Sequence, residues 1–184
     1  MGKSGYDYCL GSNNQLLKNK ISGMLSKAGF YNTGSSKSIP ELLRTLRLVQ
    51  PWLAIIDTAL PPGNIEELAS VIENDNLSAA IYINTNAMDL DIYVQLSWPV
   101  EAPVLNAVAE AVCSEFAHKR RLHQEIVDLQ NQLKQRKLIE IAKGHIQNRF
   151  NLNEEEAYQY LRRTSMEKRV SLAKLAKIII DESG

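Results

Sequence analysis

Trp52-Leu53-Ala54-Ile55-Ile56-Asp57 is a nearly unbroken apolar run of strand length that ends on a carboxylate. A strand covering one face of a sheet alternates apolar and polar residues. A run that is apolar at almost every position suits burial on both faces, as in a central parallel strand. Working outward, Ala79-Ala80-Ile81-Tyr82-Ile83 repeats the pattern, and Ile92-Tyr93-Val94-Gln95-Leu96 does so once more. Gly5-Tyr6-Asp7-Tyr8-Cys9-Leu10 reads as a short strand, and Phe30–Thr33 as a weaker one. Helical spacings fill the intervals. Gly11-Ser12-Asn13-Asn14 closes the first strand, and Asn13 or Asn14 can cap a helix carrying Leu16, Leu17, Ile21, Met24 and Leu25, which Gly29 ends. After a polar stretch at 34–38, Pro40 lies just inside a helix with Leu42, Leu43, Leu46 and Leu48 as its apolar positions. Pro61-Pro62-Gly63 breaks the chain before a helix at 64–73. Strands alternating with helices predict crossovers and hence an α/β fold, a five-stranded parallel, doubly wound, flavodoxin-like domain. Its functional edge lies at the C-terminal strand ends, where Asp57 stands.

From Ala102 to about Asn148 the chain is built of helix formers, with Gly144 as an interruption. Val112, Phe116, Leu122, Ile126, Leu129 and Leu133 recur at spacings of three, four or their sums, between charged residues. The pattern predicts a long helix, with Leu122, Ile126, Leu129 and Leu133 as the seam of a short dimeric coiled coil. A single helix folded back on its own domain is the alternative. A small helical unit follows. Asn151-Leu152-Asn153 is a loop, Asn153 with Glu156 reads as a capping box, and the next helix runs to about Met166 with Ala157, Tyr160, Leu161 and Thr164 on one face. Glu167–Val170 is a turn, and Ser171 can cap a last helix with Leu172, Leu175, Ala176 and Ile179 inward. The expected division is an α/β domain at 1–117, a coiled-coil linker at 118–138 and an all-α three-helix module at 139–184.

Composition narrows the function classes. Of 184 residues 45% are apolar and 23% charged, a globular balance, and no apolar run approaches a membrane span. The N-terminus lacks the apolar core of a secretory signal, so a cytoplasmic location is expected. Cys9 and Cys113 stand far apart without a C-x-x-C or a histidine cluster, which points to reduced, buried thiols and no metal site. The zero net charge hides an asymmetry. Residues 1–133 carry 10 Lys/Arg against 14 Asp/Glu, and residues 134–184 carry 11 against 7. A basic tail on an acidic body permits a polyanion partner. No Ser/His/Asp arrangement, phosphate-cradling glycine loop or paired carboxylates at a strand end suggest an enzyme, and no cofactor is expected.

Residues 141–180 resemble an ANTAR domain. The resemblance is carried by Ala142-Lys143-Gly144, the Glu154–Ala157–Tyr158 stretch, Leu161-Arg162-Arg163-Thr164-Ser165-Met166 and the closing Leu172…Leu175-Ala176. It implies transcription antitermination: proteins of this family bind paired hairpins in an mRNA leader, recognise their loops and keep a competing terminator from forming. Specific RNA readers take unpaired bases by stacking and edge hydrogen bonds, while basic side chains hold phosphates. Lys143, Arg162, Arg163, Lys168 and Arg169 can supply charge, Tyr158 or Tyr160 a stacking face, and Ser165 a hydroxyl. Gly144 would let a backbone come close, or else relieves crowding between helices. Tyr160, placed with Ala157 and Leu161, reads better as core, and His145 as a surface or packing residue. Arg162 and Arg163 also fit an ordinary solvated face.

Residues 5–117 resemble, more loosely, the receiver domain of response regulators, through strand order and the placement of Asp57. The receiver pattern puts an acidic pair just after the first strand to hold Mg²⁺ for phosphorylation of the aspartate. Here that position reads Gly11-Ser12-Asn13, and Ser97-Trp98-Pro99 stands where the pattern wants a lysine before proline. Thr85 or Asn84 stands for the usual hydroxyl residue. The expectation is a degenerate receiver in which Asp57 caps nearby backbone, controlled by a regulatory protein, a small ligand or dimerisation. A phosphorylation-switched regulator using Asp57, a protein–protein adaptor with a basic face, and a DNA-binding helix-turn-helix are the competing readings.

Overall fold

The structure is a computed structural model that describes residues 5–87, 90–92 and 94–183. The decisive run forms β3 (Leu53–Asp57), every residue of it buried. β3 pairs in parallel with β1 (Asp7–Gly11) on one side and β4 (Ala79–Asn84) on the other. With β2 (Tyr31–Ser36) and β5 (Gln95–Ser97) at the edges, the sheet order is β2-β1-β3-β4-β5. That is the doubly wound order of flavodoxin-like folds.

The reason for a continuous apolar run is visible in how β3 divides its side chains. Leu53 and Ile55 enter one core with Leu17, Ile21 and Leu25 of α1 (Gln15–Lys27). Ala54 and Ile56 enter the other, with Leu42 and Leu46 of α2 (Ile39–Val49) and Leu68 and Ile72 of α3 (Ile65–Asn74). Each fully buried leucine or isoleucine contributes about 1.5–3 kcal/mol of transfer free energy. The charge at the end of β3 therefore stands on a rigid base.

Several local expectations shift. Asn14, not Asn13, caps α1, its Oδ1 accepting from the N–H groups of Leu16 at 3.0 Å and Leu17 at 3.2 Å. Leu16 and Leu48, expected inward, are exposed. β2 runs on through Gly34-Ser35-Ser36, which composition placed in a loop. Parallel pairing of Cys9, Leu10 and Gly11 with residues 34–36 outweighs weak strand propensity there. A side chain at Gly34 would be tight, since a Cβ would lie 3.0 Å from Thr45 Cγ2 and 3.2 Å from Cys9 Sγ and both would have to shift. β5 lies three residues later than expected and is short; Tyr93 falls outside the described residues.

Alternation also fails once. The β4–β5 link spans only residues 85–94, and among its described residues there is no helix. Parallel strands are usually joined by a longer, helical crossover. Here Leu90 and Ile92 pack directly on the core that holds α2 and α3.

The third region is a single helix, α4 (Ala102–Phe150). Pro103 sits in its first turn, where a missing N–H costs no hydrogen bond. The chain divides into two compact units between Arg121 and Leu122, without a break in this helix. In the first unit, Leu105, Ala109, Cys113 and Phe116 of α4 close the α1-side core. In the second, Ala142 and Ile146 pack with Ala157 and Leu161 of α5 (Glu154–Lys168) and Leu175 and Ala176 of α6 (Leu172–Ser183). The expected capping box is present. Asn153 Oδ1 accepts from Glu156 N–H, Glu156 Oε2 accepts from Asn153 N–H, and both distances are 2.9 Å. Both cysteines are buried and unpaired, and burial raises the Cys113 thiol to about 12. Among the described residues no helix is long and apolar enough to cross a membrane.

Candidate functional site

At the sheet's C-terminal edge, Asp57 is only 5% exposed. Its carboxylate is enclosed by donors from three segments. The Ser12 hydroxyl donates to Oδ2 at 2.7 Å, the Thr85 hydroxyl to Oδ1 at 2.8 Å, and the Ala59 N–H to Oδ1 at 3.0 Å. Thr85 therefore takes the hydroxyl position that the sequence left open between Thr85 and Asn84. Ser12 is fully buried and held in turn, its Oγ accepting from Asn14 N–H at 3.0 Å. Two hydroxyls and an amide satisfy the acceptors of this buried carboxylate without a metal. The residues do not fit Mg²⁺. Ser12 occupies the place a ligating carboxylate would need, and among the described residues no cluster of three metal-ligand side chains exists. β5 ends on Ser97 and the cis Trp98–Pro99 peptide follows it, with no lysine in that position.

A second feature of this unit is a cavity of about 560 Å³ beside β4, between α3, the β4–β5 link and α4. Glu66, Glu73, Asp91 and Glu115 line it with one cation, Lys119, which lies 3.7 Å from Glu73.

In the helical unit the residues singled out from sequence separate into different environments. Lys143 is a correction. It was expected to offer charge to a ligand, but it is 7% exposed and its Nζ donates to both oxygens of Glu140 at 3.0 and 2.8 Å and to Glu154 Oε1 at 2.7 Å. Hydrogen bonds to Glu140 and then Glu154 raise its pKa above the usual lysine value, and Lys143 in turn lowers that of Glu154. This is a clasp tying α4 to the start of α5. Ser165 is likewise turned inward, its hydroxyl donating to the Arg162 carbonyl at 2.8 Å. Gly144 relieves no crowding, because a Cβ there would meet nothing within 4 Å.

The buried stripe of α5 keeps Ala157 and Leu161 from the expected face and adds Ser165, while Tyr160 and Thr164 fall at its edge. Tyr160 and Thr164 consequently leave the core, and Tyr160 is 42% exposed. Tyr158 and Arg162, four residues apart, share an exposed face with Met166 and, at the left-handed C-cap, Arg169. Arg163 is exposed and pairs with Glu167 at 2.9 Å, which leaves its guanidinium within reach of solvent. Lys168 lies elsewhere, beside Tyr160 and Thr164 in a small cavity that also takes Phe150 of α4. Sequence reasoning missed Phe150 and Arg149. Their one available signal was an aromatic residue next to an arginine at the end of a helix.

The ANTAR domain family model matches residues 127–180, covering the second unit from the exposed seam to the last helix. The helical unit thus carries an ANTAR-type segment, and the whole chain has a curated relative. The chain is 24% identical over 177 residues to the transcriptional regulatory protein PdtaR of Mycobacterium tuberculosis, covering 92% of this chain and 86% of that relative. Its first unit has the receiver fold. The signal receiver domain of a modulated diguanylate cyclase from Desulfovibrio desulfuricans superposes with a TM-score of 0.57 at 17% identity, over 63% of this chain and 99% of that domain. NtrX from Brucella abortus gives a TM-score of 0.55 at 16% identity over 65% of this chain, but that match spans only 29% of NtrX. The ANTAR match begins at residue 127, inside the stretch that sequence spacing assigned to a linker, so seam and ANTAR helix are one continuous element.

Proposed function

We propose that this chain is an RNA-binding transcription antiterminator that recognises paired hairpin loops in nascent leader mRNA and prevents a terminator from forming. The observation that carries the reading is the ANTAR match over the basic, exposed helical unit. The Tyr158–Arg162–Arg169 face and Arg163 are the surface we assign to the RNA backbone and loop. Gly144 adds a strip of bare helix that a ligand backbone can approach. Lys143 keeps a supporting role, because its Nζ is already held by the Glu140 and Glu154 carboxylates.

The receiver-type unit, on this reading, responds to a protein partner, a small ligand or dimerisation instead of phosphoryl transfer. Hydroxyl donors enclose Asp57 where a metal would be needed, and the 560 Å³ cavity lies within the range of small-ligand sites. Dimerisation would use Leu122, Ile126, Leu129 and Leu133, all exposed and spaced 4-3-4 along α4. The occupant of that seam is a second copy, since two ANTAR modules brought together would engage two adjacent hairpins at high effective concentration. Its place of action is the cytoplasm, where nascent transcripts are made.

Filter binding of the full chain to a two-hairpin leader RNA tests the reading. Tight binding that weakens when loop bases are changed is the expected result. Affinity indifferent to loop sequence and lost in moderate salt would reduce the interaction to charge attraction.

A further inference from the structure

We propose that a cup between the end of α4 and the middle of α5 holds one unpaired RNA base, with Tyr160 as its stacking platform and Arg149 and Lys168 on the adjoining phosphates. The inference rests on the RNA-binding reading and deepens it by naming a base-binding site apart from the Tyr158–Arg162–Arg169 face.

The first observation is that two large rings sit together outside the core. Phe150 and Tyr160 are 47% and 42% exposed, with ring centroids 5.3 Å apart and planes tilted by 38°. Ala142, Ile146, Ala157 and Leu161 already fill the interior, so the rings are not needed there. The second is size. The cavity they border measures about 120 Å³. That is well below the roughly 300 Å³ at which sites for drug-sized ligands begin, and it suits one planar ring. The third is chemical lining. Ile146, Leu175 and Ile179 form an apolar floor, the Thr164 hydroxyl is available to a base edge, and Arg149 and Lys168 stand at the rim. Neither cation forms an ion pair among the described residues, and Glu182 is the one carboxylate in the lining. An apolar slot with cationic edges matches a nucleobase joined to phosphates; a neutral aromatic peptide side chain would leave both cations without a partner.

The geometry also says where the base lies. Insertion between two rings needs about 7 Å, twice a contact distance of roughly 3.5 Å. The 5.3 Å separation excludes it. The Arg149 guanidinium lies 5.6 Å from the Phe150 centroid and covers one face of that ring. The base must therefore stack on Tyr160, with Phe150 as a wall.

The test uses the full chain and a pool of two-hairpin RNAs with randomised loops, from which the wild-type protein selects its binders. Tyr160→Ala should weaken a selected RNA about ten- to a hundred-fold, the span expected for one lost base–aromatic stack. Tyr160→Phe should stay within about twofold of wild type. An abasic nucleotide at one loop position should cost the wild type as much, and Tyr160→Ala nothing further. Arg149→Gln should lower affinity for every selected loop alike. Far-UV circular dichroism confirms that each variant keeps its helices. If Tyr160→Ala and Phe150→Ala bind selected RNA as wild type does, the cup is refuted and the RNA-binding function stands. If the wild-type chain enriches no RNA over a charge-matched pool, both fall.

Discussion

Replacing Ser12 by aspartate restores the carboxylate that the receiver pattern calls for, and the structure predicts that this destabilises the first unit. Ser12 Oγ lies 2.7 Å from Asp57 Oδ2, both residues are buried, and the hydrogen-bond partners of the Asp57 carboxylate are neutral hydroxyl and amide groups. Two carboxylates about 4 Å apart at an effective dielectric of about 20 repel by about 4 kcal/mol. The hydroxyl's charge-assisted hydrogen bond, worth about 1.5–3 kcal/mol, is lost as well, though some of that returns as the new side chain relaxes. At about 4 °C per kcal/mol for a unit of this size, Ser12→Asp should melt roughly 15 °C lower than wild type in EDTA. Both tryptophans, Trp52 and Trp98, lie in this unit, so intrinsic fluorescence follows its unfolding alone. Millimolar Mg²⁺ should recover part of the loss in Ser12→Asp and leave wild type unmoved. Ser12→Asp with Asp57→Asn should recover it without metal. A Ser12→Asp variant melting within about a degree of wild type in EDTA would refute the electrostatic account of this site.

Acetyl phosphate with Mg²⁺ should leave the wild-type chain unshifted in phosphate-affinity electrophoresis; stoichiometric modification abolished by Asp57→Asn would overturn the hydroxyl-clamp reading. Gly144→Ala should raise the melting stability of the helical unit by about 0.5–1 kcal/mol, because nothing opposes the methyl, while lowering RNA affinity if a ligand backbone passes there. Ile126→Glu with Leu129→Glu should convert a dimer to monomer by light scattering without loss of helical signal, and a wild-type monomer would dispose of the seam. The Lys143 clasp has a defined pH window. Glu154 has a lowered folded pKa, so its contribution is full above the ordinary glutamate value of about 4.3 and is lost as pH falls through the lower folded value. Lys143 has a raised one, so its contribution is full below about 10.4 and is lost as pH rises through the higher value. Helical-unit stability, compared between wild type and Lys143→Met, should differ between these limits and converge outside them.

Periodicity along the chain was enough for the α/β architecture and a central, doubly buried β3, short-range residue types for the capping box at Asn153 and Glu156, and contiguous motifs for the resemblance to an ANTAR domain. These depend on spacing and on residues close in sequence, which a linear pattern carries. Gly11-Ser12-Asn13 likewise announced that a metal-binding carboxylate was missing. What replaced it could not be read in line, because Ser12 and Asp57 are 45 residues apart and Thr85 a further 28, and only the stacking of β1, β3 and β4 brings their oxygens together. The same holds for Lys143. Sequence shows a cation in a basic segment, but the turn of α5 against α4 decides that Glu154 meets it and that its Nζ is covered by two carboxylates. Tyr160 went the other way. The buried stripe keeps Ala157 and Leu161 but takes Ser165 on its other flank, so the way three helices fill a small core leaves Tyr160 outside, beside Phe150, on a surface that no spacing rule predicts. Helix and strand type follow from local periods, whereas the exposure and pairing of each functional side chain follow from which distant residues share its space.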